Sequence, residues 1–369
     1  MKFSCEKAIL LDAVSVCGRA VSSKSTIAAL EGLLIRAGEH VTICGYNLKT
    51  GIECTIGAKV NEEGAVVLNA RIFSDIVRKL PDDVVSFSTD ENMMVTIKCA
   101  MSEFNLIGIP AQDFPELPKV DASKNIGISN KILKSMISKT IFAVSENENK
   151  PIHTGALFEI TGDTITMVAV DGYRLALRRE KIARTADTED YRFVVPSDAL
   201  REIERILDES EDILNIHPDK KHIMFEIDGI VVISRLLEGD FLNYETAIPE
   251  KTTMIYKADA KNLVSAVERV SLIISEKLKS PVRCLFETDN VKFSCITAIG
   301  KSYDECRLSG GGEPFEIGFN NRYLLDALRA CPEGEVVLEM GGSLAPCVIK
   351  PSEGDGFLYL VLPVRLRAE

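Results

Sequence analysis

Four histidines, His40, His153, His217 and His222, are the chain's entire supply of imidazole. His217 and His222 flank the polar turn 218–221, and no cysteine or carboxylate stands around them at metal-ligand spacing, so no metal site is expected. Ten cysteines lie at 5, 17, 44, 54, 99, 284, 295, 306, 331 and 347, with none in the middle third. None forms a Cys-x-x-Cys pair, and most sit in apolar runs such as Ile43-Cys44 and Lys98-Cys99-Ala100. That pattern predicts buried free thiols in a reducing compartment rather than disulfides or metal ligands. Gly310-Gly311-Gly312 lacks the strand-to-helix setting of a phosphate loop, and neither Gly-x-Ser-x-Gly nor His-Glu-x-x-His occurs. Carboxylates abound, but no spacing pairs two of them. The expectation is a protein with no catalytic residues, no cofactor and no metal.

The chemistry that remains is electrostatic. Lys7, Arg71, Arg78, Lys79, Lys131, Lys134, Lys139, Arg201, Arg205, Lys261, Arg269, Arg322 and Arg329 fall on six segments with helical periodicity: 6–20, 71–80, 130–139, 197–208, 261–270 and 321–330. Those segments hold 14 Lys and Arg against 9 Asp and Glu, net +5, which leaves −17 for the remainder of a chain of net charge −12. Any one helix reads as an ordinary solvated face. Segregation over all six suggests a shared basic surface, which would attract phosphates without reading base sequence. The sum alone argues against nucleic acid; the charge map does not.

A repeat places these helices. Leu10, Ala13, Val14, Cys17 and Val21 lie at spacings of one helix face, and so do Leu133, Met136, Ile137, Thr140 and Val144, and again Leu263, Ala266, Val267, Val270 and Ile274. A strand signal follows each at nearly the same distance: Leu34-Ile35, Leu157-Phe158 and Leu285-Phe286. The period is too long for a solenoid and means three similar domains, 1–122, 123–250 and 251–369. Each third splits into two helix-plus-strands halves, the second helices capped by Asn69, Ser197 and Asn320-Asn321. Linkers are expected at about 117–125 and 247–253, and a Ser/Gly-rich loop at 308–314.

The fold class is therefore α+β: three tandem domains, each of two helices plus antiparallel sheets. The composition is that of a globular protein, no run of eighteen apolar residues exists, and the N-terminus carries acidic residues inside a helical period. Neither a signal peptide nor a membrane span is expected.

Short stretches then point to one family. Met1-Lys2-Phe3, Asp113-Phe114-Pro115-Glu116-Leu117-Pro118, Thr154-Gly155-Ala156, Val170-Asp171-Gly172-Tyr173-Arg174-Leu175-Ala176, Glu238-Gly239-Asp240-Phe241 through Tyr244, and Leu362-Pro363-Val364-Arg365-Leu366 occur in order along the whole chain. Together with the threefold repeat, they resemble the bacterial DNA sliding clamp, the beta subunit of the DNA polymerase III holoenzyme. The resemblance implies a non-catalytic processivity factor. Two chains would close head to tail into a homodimeric ring around double-stranded DNA of any sequence. Helices would line the hole, and the replicative polymerase, clamp loader and repair proteins would dock through short linear motifs. It also implies a cytoplasmic, nucleoid-associated protein with no membrane partner. A repeat scaffold that binds only protein peptides is the other reading, and it predicts no retention on DNA.

Carried over position by position, the resemblance implies a partner-peptide pocket walled by His153, Val170, Gly172, Arg174, Leu175, Leu242, Ala247, Leu362, Pro363, Val364, Arg365 and Leu366. Such an apolar cleft suits a motif with Leu and Phe anchors. Read by themselves, Asp171-Gly172 is a turn, Leu362–Leu366 a last edge strand, and Arg174 and Arg365 exposed charges. Leu242 stands where the family often has proline, Val170 where threonine is frequent, His153 where leucine is, and Thr246 where a basic residue can occur. Altered peptide preference is expected. Arg367, Ala368 and Glu369 extend past the usual end, and a polar tail over the pocket mouth is expected. The implied DNA-facing residues are Lys24 and Lys150 in loops, with Arg71, Arg78, Lys79, Lys131, Lys134, Lys139, Arg201, Arg205, Lys261 and Arg322 on helices. Pro151 and Ile152 replace aromatics found in some members. The implied dimer contact joins Phe104, Leu106 and Ile107 to Leu272 and Ile273, residues that read equally well as ordinary core.

Overall fold

The structure is a computed structural model, in which residues 1–183, 189–275 and 280–366 are described. Arg367, Ala368 and Glu369 lie outside the described residues. Six α-helices are present among them: α1 (Lys7–Cys17), α2 (Ala70–Lys79), α3 (Asn130–Ser138), α4 (Ser197–Ile206), α5 (Ala260–Ser271) and α6 (Asn321–Ala330). All six expected helices form. The first is shorter than 6–20, because Glu6 ends a strand, Lys2–Glu6, paired with Val84–Thr89. Asn69 and Asn320 cap α2 and α6 as expected, and Asp259 caps α5, its carboxylate accepting from the Asn262 amide at 2.9 Å. Ser197 is not a cap but the first residue of α4, behind Pro196.

Each repeat opens with a strand, just ahead of its first helix, that the sequence reading did not assign: Lys2–Glu6, Ile126–Ser129 and Met254–Asp259. Each pairs antiparallel with the strand after its repeat's second helix, Val84–Thr89, Ile213–Pro218 and Glu335–Met340. The expected loop at 308–314 contains a further strand, Ser309–Gly311, paired with Met254–Asp259. Gly310 makes that possible: a Cβ there would stand 2.2 Å from the Ile255 carbonyl oxygen.

The chain packs as two units, 1–131 with 202–236, and 132–201 with 237–369, dividing inside α3 and α4. The first unit holds, among the described residues, a five-stranded and a nine-stranded antiparallel sheet. In the nine-stranded sheet, Thr50–Ile56 of the first repeat pairs with Ile230–Arg235 of the second, Cys54 opposite Ile230 and Thr50 opposite Ser234. The second unit holds a four-stranded sheet and another nine-stranded sheet, in which Arg174–Lys181 pairs with Phe357–Val361. Sheets thus run continuously through the ends of the sequence repeats. Their middle strands are covered on both faces, as in Thr164–Val170, where every residue from Ile165 to Val170 is buried. The five-stranded sheet alternates instead: Val85, Phe87, Val95 and Ile97 are buried, and Lys98 and Ser86 face water. Within the units, α1 packs on Val41–Tyr46 and Thr50–Ile56, and α5 on Asn290–Thr297 and Gly300–Arg307. All ten cysteines are buried and free. Burial pushes Cys5 up to about 11, and Cys44, Cys331 and Cys347 up to about 12, so these thiols are protonated and unreactive at neutral pH.

Candidate functional site

In the second unit, the turn between strands Thr164–Val170 and Arg174–Lys181 is built by Asp171. Its Oδ1 accepts from the amides of Tyr173 (2.8 Å) and Arg174 (3.0 Å), and Gly172 supplies the positive φ of 90°. Arg174 is not the exposed charge that its type suggests: it is 7% exposed. Its Nε donates to Asp171 Oδ2 (2.9 Å) and its Nη1 to Asp326 Oδ2 on α6 (2.6 Å). The guanidinium lies over the rings of Tyr323 (4.4 Å) and Phe142 (5.4 Å), and Tyr173 stacks on Tyr323. Two carboxylates and two aromatic faces thus fix one buried cation.

The C-terminal segment runs past this turn. The last strand stops at Val361, so Leu362–Leu366 is not the edge strand that it resembles in sequence. The Leu362 amide donates to the Tyr173 carbonyl (2.9 Å) and the Val364 amide to the Gly318 carbonyl (2.8 Å). Gly318 is required there, since a Cβ would meet Leu366 Cδ2 at 2.5 Å. Leu362, Val364 and Arg365 are exposed; Pro363 and Leu366 are half-buried.

A strap, 237–247, ends in the 3-10 turn Tyr244–Ala247. Phe241 and Tyr244 point inward and join Val170, Leu175, Leu157 and Leu360 in one apolar cluster. Leu242 and Ala247 face outward and are exposed. His153 packs edge-to-face on Phe241 at 5.4 Å, and burial, with Lys150 nearby, lowers its pKa. Val170 and Leu175 are buried; Gly172, Leu242, Ala247 and Leu362 are exposed. A cavity of about 480 Å³ lies beside Asn320, Arg322, Tyr323 and Ile274. Sequence reasoning missed Asp171, Asp326, Tyr323 and Phe142 as the holders of Arg174. Three of them lie far from it in sequence or on another element, and only Asp171 offers a local signal, through its Asp-Gly turn.

The helix charge survives the observed bounds: twelve Lys and Arg against seven Asp and Glu, still net +5. Arg71, Arg78, Lys79, Lys131, Arg201, Arg205, Lys261 and Arg322 are exposed, as are Lys24 and Lys150 in their loops. Several carry surface ion pairs, Lys131 with Glu211 (2.8 Å), Arg78 with Asp75 (3.3 Å), Arg205 with Glu202 (2.5 Å) and Arg322 with Asp326 (3.9 Å). Such pairs are worth little in water. Lys134 is half-buried. Lys139 corrects the expectation of a helix-face cation: α3 ends at Ser138, and the half-buried Lys139 Nζ donates to the Ala330 carbonyl at the end of α6 (3.0 Å). Burial lowers its pKa.

Ser102–Ile107 is an outer strand of the five-stranded sheet. Ile107 is 80% exposed and Leu272, just past α5, 83%, so neither is core. Phe104, Leu106 and Ile273 are half-buried.

Strand–helix repeats whose sheets continue from one repeat into the next define a protein of tandem clamp domains. Family models agree in order along the chain: the DNA polymerase III beta subunit N-terminal domain matches residues 1–118, the central domain 127–243 and the C-terminal domain 245–365. The beta sliding clamp of Halalkalibacterium halodurans is 32% identical over 378 residues, covering 99% of this chain and all of that one. A Staphylococcus aureus beta sliding clamp is 31% identical, covering 99% of each chain. Among solved structures, a putative DNA polymerase III beta subunit from Eubacterium rectale superposes with a TM-score of 0.95 at 34% identity over 99% of each chain. The Bacillus subtilis DNA polymerase sliding clamp gives 0.96 at 30% over all of both. The chain belongs to the DNA polymerase III beta subunit family, the bacterial sliding clamps, which are non-catalytic processivity factors of DNA replication.

Proposed function

We propose that two copies of this chain close head to tail around duplex DNA and slide on it, and that each copy divides into clamp domains at 1–122, 123–250 and 251–369. The observation that carries this is the match of three successive clamp-domain models along the chain. Arg71, Arg78, Lys79, Lys131, Lys134, Arg201, Arg205, Lys261 and Arg322, with Lys24 and Lys150, face the DNA and attract its phosphates without base contacts. The ring closes by laying the free edge of Ser102–Ile107, with Phe104, Leu106 and Ile107, against the segment that carries Leu272 and Ile273. Unpaired strand edges accept a strand from a second chain.

The replicative polymerase, the clamp loader and repair proteins dock by short linear motifs in the pocket of His153, Val170, Gly172, Arg174, Leu175, Leu242, Ala247 and Leu362–Leu366. Leu and Phe anchors of the motif would cover the exposed Leu242, Leu362 and Val364. The protein then works in the cytoplasm at the nucleoid; no helix among the described residues is long and apolar enough to cross a membrane. The test is to load the protein with a clamp loader onto nicked circular DNA and then linearise. Retention on circles and loss from linear ends is expected. Equal retention on both would sink the ring, and no retention on circles would favour a scaffold that binds peptides alone.

A further inference from the structure

The first two repeats carry the same strap over the same turn. The straps are Asp113-Phe114-Pro115-Glu116-Leu117 and Asp240-Phe241-Leu242-Asn243-Tyr244. Phe114 and Phe241 are both buried, each in the apolar cluster of its own sheet. Asn47 builds the first turn as Asp171 builds the second, its Oδ1 accepting from the amides of Lys49 (3.0 Å) and Thr50 (2.8 Å). The Arg235 amide donates to the Lys49 carbonyl at 2.9 Å, just as that of Leu362 does to Tyr173.

The two copies part at the fourth residue after the strap's aspartate and at what lies beneath it. In the first, Gly51 follows the turn and Leu117 closes onto it: a Cβ on Gly51 would stand 2.3 Å from Leu117 Cδ2. In the second, Leu175 occupies the position of Gly51 and Tyr244 that of Leu117. The Tyr244 hydroxyl donates to Glu159 Oε2 at 2.6 Å, and Arg192 Nε holds the other carboxylate oxygen at 2.9 Å. Arg36 stands at the position of Glu159 in the first copy, so that copy has no such acceptor.

The strap has few backbone bonds to the sheet. Its start is fixed by the Leu237 amide on the Val194 carbonyl (3.0 Å), and its end turns locally, Ile248 amide to Glu245 carbonyl (3.1 Å). Between them, Phe241 holds by apolar contact, which is non-directional. Tyr244 adds a directional side-chain bond between the sheet and the strap that carries Leu242 and Ala247. We propose that Tyr244 and Glu159 are positioning residues that seat the strap and so shape the partner-peptide pocket of the second copy, where the first copy's strap lies closed on its sheet. This rests on the pocket assignment made above.

The test uses the full chain and a fluorescein-labelled peptide with neighbouring Leu and Phe anchors. A hydrogen bond to a carboxylate contributes about 1.5 kcal/mol or more, so Tyr244→Phe should weaken binding about ten-fold. Glu159→Leu should match it, while Glu159→Gln, which keeps an acceptor oxygen, should stay within about two-fold. Amide exchange in 241–248 should quicken in the two weakened variants and stay slow in Glu159→Gln, a difference that loss of general stability would not produce. Deleting residues 363–369 is the control and should abolish binding. Wild-type affinity in Tyr244→Phe and Glu159→Leu, with the deletion still abolishing binding, overturns the positioning roles and leaves the pocket standing. Unchanged affinity in the deletion overturns the pocket, and the positioning roles with it.

Discussion

Replacing Arg174 by Met tests what a single buried cation contributes to the second unit. Methionine keeps most of the stem's volume, so little cavity forms, and the loss is electrostatic. The hydrogen bonds to Asp171 (2.9 Å) and Asp326 (2.6 Å) disappear, with the face contacts to Tyr323 and Phe142. The larger effect is on what stays behind: two carboxylates whose side chains are 12% and 23% exposed, now without their shared cation. Removing one partner of a buried ion pair costs about 3–5 kcal/mol. Partial exposure of Asp326, and Arg322 at 3.9 Å from it, move the expectation to the lower end, about 3 kcal/mol. For a unit of roughly 200 residues that is a drop in Tm of about 6–12 °C. The assay is thermal and urea unfolding of the full chain, with amide exchange in strands Arg174–Lys181 and Phe357–Val361 assigning the loss to this unit. The triple variant Arg174→Met, Asp171→Asn, Asp326→Asn should recover most of it, because the stranded charges are gone. Asparagine can still build the turn, as Asn47 does in the first repeat. A loss under about 1 kcal/mol in Arg174→Met, or no recovery in the triple variant, would refute the reasoning.

Two further outcomes follow from other parts of the molecule. Ile107→Asp changes a side chain that is 80% exposed, so it should leave the melting of the chain unchanged while shifting sedimentation from dimer to monomer at micromolar concentration; an unaltered dimer removes Ile107 from the contact. Stability should also fall in alkali. The Cys44, Cys331 and Cys347 thiols stand near 12 when folded against 9.0 otherwise, and Cys5 near 11, so above pH 9 the unfolded chain releases protons that the folded chain keeps. The unfolded state then binds fewer protons, and stability drops with each unit of pH between those values. The urea midpoint should decline steadily from pH 9 to 10.5, and less so in Cys44→Ala; a flat profile would contradict the burial argument.

Repetition and periodicity are local properties, and they were readable without coordinates. The faces of Leu10, Leu133 and Leu263 gave the three copies, and Asn69 and Asn320 marked helix starts, because a 3.6-residue period and a capping side chain act within one turn. The strand Lys2–Glu6 was equally local, its Phe3 and Cys5 buried and Lys2 and Glu6 exposed, but five residues of two-residue alternation are a weak signal beside the longer helical period that follows. The resemblance reached Arg174, Leu242 and Leu362 only as positions in order.

What those positions do depended on partners far along the chain. Arg174 looks like any surface arginine until Asp326 and Tyr323 of α6 arrive beside it, and Lys139 looks like a helix-face cation until the last carbonyl of α6 takes its ammonium. The same holds for the sheets. That Thr50–Ile56 continues into Ile230–Arg235, and Arg174–Lys181 into Phe357–Val361, is written in no short stretch of sequence. Backbone hydrogen bonds between strands carry no residue code, so which edge meets which is decided by the packing of whole layers. The sequence by itself determined that three similar copies would form, and where each helix would begin. The tertiary structure decided which copies share a sheet, and it brought Arg174 to Asp326 and Tyr244 to Glu159 in the second copy, because both bonds join groups that chain order keeps apart.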